Sequence, residues 1–257
     1  MVTPSSDTAV PSNITAPPGH EASGTVELQA VLWDMDGTIV DTEPYWIEAE
    51  HQLVAAHGGS WSAEQAEGLV GQALTFSAGV LQAAGVKLSV REIIDTLTEQ
   101  VTAKVRESVP WRPGARELLL ALRGRDIPCA LVTMSEQQLA VEVARHLPGD
   151  TFELLVTGDR VTRGKPDPEA YQTAFDELTA RVGPLRKGAV VAIEDSLPGV
   201  TAAKASGVVT LGVPHFVALP PDSADHLWPS LEGRQVEDLE SLLPSQTESA
   251  SGDRRIT

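Results

Sequence analysis

The chain has 257 residues, 42% of them hydrophobic, and a formal net charge of −17. This length suits one large or two modest domains, and the acidity argues against nucleic-acid binding, which relies on clustered Lys and Arg to displace counterions. No apolar run approaches the ~18 residues of a membrane span, and the lone Cys129 excludes an intramolecular disulfide, so a soluble cytoplasmic protein is expected, with no membrane partner.

Residues 1–25 are rich in Pro, Ser and Thr, lack periodicity and lack a signal-peptide pattern; they read as a disordered tail. The apolar run Leu28-Gln29-Ala30-Val31-Leu32-Trp33 then reads as a buried strand, and it ends in Asp34-Met35-Asp36-Gly37-Thr38. Side chains at i and i+2 of an extended segment project to one side, so Asp34 and Asp36 can reach one site while Gly37 turns the chain away. One carboxylate can attack an electrophile and the other can carry a proton.

Between Pro44 and Pro110 the pattern is helical, with helices expected at 45–57, 63–69, 75–84 and 90–107 and no convincing strand among them. Residues 44–110 are therefore expected to form an inserted helical cap. From Trp111 onward strands and helices alternate: a helix after Pro113-Gly114, strands at 128–133, 152–157, 189–193 and 208–212, and helices at 137–146, 168–180 and 197–206. The expectation is an α/β fold: a Rossmann-like parallel sheet with helices on both faces, its catalytic core made of residues 26–43 and 111–243. Residues 244–257 read as a flexible tail.

Ligands of open parallel sheets bind beyond the carboxyl ends of the strands. The first expected strand ends in Asp34 and Asp36, the next in Thr133-Met134-Ser135, and that at 189–193 in Glu194-Asp195-Ser196; a loop between them carries Gly164-Lys165-Pro166-Asp167. Together they offer a nucleophile, hydroxyl donors, a cation and an oxygen-rich pair suited to Mg²⁺. Glu194 and Asp195 equally suit the start of the helix at 197, where acidic side chains are favoured.

These four motifs, in this order and with the helical insertion after the first, resemble the haloacid dehalogenase-like hydrolase superfamily, in its helical-cap phosphatase and beta-phosphoglucomutase-like branch. The resemblance runs over residues 27–213. It implies Asp34 as nucleophile and Asp36 as acid/base. It places Thr133, Met134, Ser135 and Lys165 at the phosphate, with Lys165 also catalytic. It implies Mg²⁺ as cofactor, held by Asp34, the backbone carbonyl of Asp36 and Asp195, with Glu194 assisting. The implied activity is hydrolysis of a small phosphorylated metabolite, such as a sugar phosphate, through an aspartyl-phosphate, by a monomer or weak dimer. A phosphosugar mutase is the alternative, and a phospho-accepting receiver module a more distant one. Two departures stand out: Met134 follows Thr133 where many relatives have Asn or Ser, and Trp46 stands where a mutase keeps a histidine beside its acid/base. The cap bases Lys87, Arg91, Lys104 and Arg106 are the candidates for holding a mutase's second phosphate, while Arg163 reads as an exposed charge near the site. His51, His57, His146, His215 and His226 lack metal-ligand spacing and are expected at surfaces or helix ends.

Overall fold

The structure, a computed structural model, describes residues 27–244. Apart from Pro244, both expected tails lie outside the described residues. Strands β1 (Ala30–Trp33), β2 (Cys129–Val132), β3 (Leu154–Val156), β4 (Val190–Glu194), β5 (Val209–Gly212) and β6 (His226–Leu227) form one sheet in the order β3-β2-β1-β4-β5-β6. Every neighbouring pair is parallel.

Alternation along the strands divides the core. Val31, Trp33, Leu131, Val191 and Ile193 face one apolar cluster, and Ala30, Leu32, Ala130, Val132, Val190 and Ala192 face the other. Because successive side chains point to opposite faces, a parallel strand covered on both sides must be apolar throughout, and β1, β2 and β4 are buried at every position. The first cluster includes Leu118, Leu119 and Leu122 of α5 (Ala115–Arg123), while the second includes Ala170, Tyr171 and Ala174 of α7 (Glu169–Val182). Ala202 and Ala203 of α8 (Leu197–Ser206) join the second cluster. The expected Rossmann-like sheet with helices on both faces is therefore what the chain forms.

Between β1 and β2 lie α1 (Glu43–Ala56), α2 (Ala63–Glu67), α3 (Leu74–Ala83) and α4 (Val90–Glu107), with no named strand among them. Helix α4 buries Ile93, Ile94, Leu97, Val101 and Val105, an i, i+4 stripe, and opens with a Ser89–Glu92 capping box. It packs on α1 and α3, and on α6 (Gln137–Ala144) of the sheet layer. The short β6 and α9 (Val236–Glu240) were not expected, because two and five residues are too few to show a period. Other elements differ from expectation mainly by fraying at their ends. No helix among the described residues is long and apolar enough to cross a membrane.

Candidate active site

Parallel pairing brings the carboxyl ends of β1, β2 and β4 to one edge, and Asp34, Thr133 and Glu194 meet there. At the end of β1 the chain turns through Gly37, whose φ of +85° suits glycine. A Cβ at Gly37 would lie 2.0 Å from Asp195 Oδ2, so the missing side chain is what lets the Asp195 carboxylate sit against this turn.

The buried Lys165 ammonium is the hub. Its Nζ donates to Asp34 Oδ1 at 2.6 Å, to Glu194 Oε1 at 2.6 Å and to the Val132 carbonyl at 2.9 Å, which uses all three of its hydrogens. Met134 supports this placement: its sulfur accepts from the Lys165 backbone N–H at 3.2 Å. The departure in the second motif thus packs under the lysine loop. Glu194 is saturated: Oε1 also accepts from Tyr171 Oη at 2.7 Å, and Oε2 from the Asp195 and Ser196 N–H groups at 3.2 and 3.4 Å and from Ser196 Oγ at 3.3 Å. The cap of α8 is Ser196, whose hydroxyl accepts from Gly199 N–H at 3.2 Å, so neither acid performs the capping that their position allowed.

Asp36 points toward the second motif. Its Oδ2 accepts from Ser135 Oγ at 2.7 Å and Thr133 Oγ1 at 3.1 Å, and its Oδ1 from Thr42 Oγ1 at 2.5 Å and Trp46 Nε1 at 3.3 Å. Trp46 therefore still reaches the carboxylate, although an indole N–H can only donate.

The electrostatics are strained by crowding. Burial, and then the charge of Glu194, raise Asp34 to about 7 against the pull of Lys165. Burial and the charge of Asp34 push Asp195 well above the usual carboxylate range. Burial opposes the charge on Lys165, but its two ion pairs outweigh that and hold its pKa above the ordinary value. Asp34 Oδ2 is buried and has no hydrogen-bond partner, and Asp195 has no side-chain hydrogen bond among those of the described residues. Asp34, Glu194 and Asp195 each present an oxygen within 4.8 Å of the others. The free oxygens of Asp34 and Asp195, with Glu194 adding to the repulsion, suit a divalent cation, which would relieve the repulsion that raises these two groups.

Asp34, Asp36, Thr133, Ser135, Lys165 and Asp195 line one end of a cavity with about 690 Å³ of empty space, its open mouth included. The other end is helical: α1 contributes Trp46 and Glu43, which stand near Asp36, and Glu50 further along, together with Gln72 and Ser77. The sequence reading assigned no role to Thr42, Glu43, Glu50 or Tyr171. Glu43, Trp46 or Ile47, and Glu50 follow the i, i+3/4, i+7 rule, and a helix face that is both acidic and otherwise apolar was the available signal. Arg163 stays exposed, paired with Asp167 and Glu169 outside the cavity lining. One histidine departs from the expectation of surface or helix-end placement: His215 is largely buried, its Nε2 2.7 Å from Asp41 Oδ1.

A family model described as haloacid dehalogenase-like hydrolase matches residues 31–213. The phosphorylated carbohydrates phosphatase of Thermotoga maritima is 33% identical over 191 residues, 73% of this chain and 86% of that protein. The N-acetylmuramic acid 6-phosphate phosphatase of Pseudomonas aeruginosa is 31% identical, over 78% of this chain and 88% of its own length. Among solved structures, CbbY from Rhodobacter sphaeroides in complex with phosphate superposes with a TM-score of 0.74 at 26% identity, covering 83% of this chain and 99% of that one.

Proposed function

The chain belongs to the haloacid dehalogenase-like hydrolases, and from that premise we propose that it is a Mg²⁺-dependent phosphatase of a small phosphorylated metabolite, working through an aspartyl-phosphate. The observation that carries the reading is the division of labour at one strand edge: Lys165 bridges Asp34 and Glu194 at 2.6 Å each, while Asp36 turns to Thr133 and Ser135. The relatives named as phosphatases of phosphorylated carbohydrates and of N-acetylmuramic acid 6-phosphate support a sugar phosphate as substrate.

In this reading the Asp34 carboxylate attacks phosphorus, the bond to the leaving oxygen breaks, and Asp36 delivers a proton to that oxygen. Asp36, now ionised, removes a proton from water, which attacks the aspartyl-phosphate; the P–O bond to Asp34 breaks and phosphate leaves. Lys165 neutralises charge on the transferring group, and the Thr133 and Ser135 hydroxyls can turn from Asp36 to phosphate oxygens. Mg²⁺, held by Asp34, Asp195 and the Asp36 carbonyl with Glu194 alongside, would supply a further positive charge at the same oxygens. Glu194 and Tyr171 keep Lys165 in place. The helices of 44–110 act as a cap that closes the site to bulk water. The mutase alternative loses support, since Lys165 is the one cation lining the cavity among the described residues. Arg91, Lys104 and Arg106 instead pair with carboxylates elsewhere, and Lys87 is exposed outside the lining.

The test is phosphate release from p-nitrophenyl phosphate and a panel of sugar phosphates, with Mg²⁺ and with excess chelator. Multiple turnovers that stop on chelation are expected. A verified folded protein that releases no phosphate from any ester would defeat the reading.

A further inference from the structure

The helical end of the cavity holds two buried carboxyl groups with no cation beside them among the described residues. Glu43 is 7% exposed, lines the cavity, and its carboxylate takes part in no side-chain hydrogen bond or ion pair among the described residues. Glu50, two turns further along α1 and 5% exposed, spends only one oxygen, accepting from Trp61 Nε1 at 3.1 Å. A buried carboxylate without partners is costly to keep ionised. The cost shows in both groups: burial, then the charges of Asp36 and Glu50, raise Glu43 to about 8, and burial raises Glu50 to about 7 against its bond from Trp61. Glu43 stands in the first turn of α1, where an acid suits the helix N-terminus, but Glu50 lies in mid-helix and has no such reason to be acidic. Gln or Leu would fill a half-apolar helix face, and Ile47, Leu69, Leu74 and Leu97 already line the same chamber. Such a pair makes physical sense if a cation arrives with the ligand.

We propose that this end of the cavity is a subsite for an ammonium group on the leaving alcohol, so that the enzyme prefers amine-bearing monophosphates such as amino-sugar phosphates and rejects a second phosphate. The proposal rests on the phosphatase reading, which fixes the phosphoryl group at the strand edge and so turns the rest of the substrate toward α1. An ammonium near Glu43 restores the ionised carboxylate and gains a charge-assisted hydrogen bond. A second phosphate would meet two acids and no base.

The experiment compares kcat/KM for glucosamine 6-phosphate, glucose 6-phosphate, N-acetylglucosamine 6-phosphate and fructose 1,6-bisphosphate at neutral pH with Mg²⁺. The expected order puts the free amine above its hydroxyl and acetylated analogues by about tenfold or more, which is what a charge-assisted bond to a buried carboxylate supplies, and the bisphosphate last. In Glu43→Gln, and separately in Glu50→Gln, the amine preference should shrink toward unity. Using both positions covers the chance that one variant fails to fold. Equal use of the amine and hydroxyl esters, or a preference that survives both substitutions, overturns the subsite while leaving the phosphatase reading intact. If no ester is hydrolysed the phosphatase reading fails instead. Calorimetry of glucosamine 6-phosphate against glucose 6-phosphate then decides the subsite by itself, equal affinity counting against it.

Discussion

The two ends of the cavity are both built on buried carboxylates, but they are balanced in opposite ways. At the strand edge Asp34 and Glu194 share one ammonium, and Glu194 has no unused oxygen; on α1, among the described residues, Glu43 has no partner and Glu50 has one. The first arrangement is pre-organised, with donors fixed before any ligand arrives, which is the condition for stabilising a transition state without reorganisation. The second is left incomplete, and an incomplete polar site selects what completes it.

The sharpest way to break the strand-edge half is to remove its nucleophile. Asp34→Asn keeps the shape and can still accept from Lys165 through its amide oxygen, but it cannot form the aspartyl-phosphate. Turnover should fall by at least about 10³-fold with the fold retained, as seen by circular dichroism. Near-normal hydrolysis by the folded variant would remove Asp34 from the chemistry.

A smaller loss should follow from crowding the turn. Gly37→Ala places a Cβ 2.0 Å from Asp195 Oδ2 and asks alanine to hold a φ of +85°. Asp195 must move, so Mg²⁺ affinity measured by calorimetry should drop by roughly 10–100-fold, the range typical of displaced support around a metal. Unchanged affinity would take Asp195 out of the metal site.

Trp46→Phe removes one of four donors to Asp36 while keeping an aromatic ring at this position of α1. Thr42, Thr133 and Ser135 still hold the carboxylate. The loss of one hydrogen bond predicts a decrease of roughly 2–10-fold. It should fall mainly on breakdown of the aspartyl-phosphate, where Trp46 helps hold the Asp36 carboxylate in position to take a proton from water. Rapid-quench measurement of the phosphoenzyme separates the two steps, and a variant slowed only in its formation would contradict this role for Trp46.

What the sequence made legible follows the same division. The strand-edge residues sit at the ends of apolar runs, so Asp34, Thr133 and Glu194 could be placed by strand position alone, and Lys165 by the order of motifs. Contacts between distant segments were not legible: nothing in the spacing says that Tyr171, on α7, reaches Glu194, or that Met134 lies beneath Lys165. The α1 acids were missed for a different reason. Glu43 and Glu50 look like ordinary solvent-facing charges on an acidic chain, and only the tertiary packing around α1 buries them. Helix periodicity carried that information faintly, through the apolar neighbours on the same face.

The remaining effect concerns the incomplete half, leaves turnover aside and needs no substrate. Glu50 is held at about 7 in the folded chain, whereas an unfolded glutamate ionises near 4.5. Between those values the unfolded state gives up a proton that the native state keeps, so this group lowers stability as pH rises from about 4.5 to about 7, and its effect is constant above that. Glu50→Gln cannot titrate, and its amide oxygen can still accept from Trp61. Any cost of burying the amide is independent of pH. The difference in unfolding free energy, variant minus wild type, should therefore rise across that window by up to about 3 kcal/mol, at 1.36 kcal/mol per unit, and then level off. Urea titrations of both proteins at pH values spanning the window measure that difference directly. A flat profile would mean that Glu50 is ionised without cost in the free protein, and the helical end would then already hold a compensating charge.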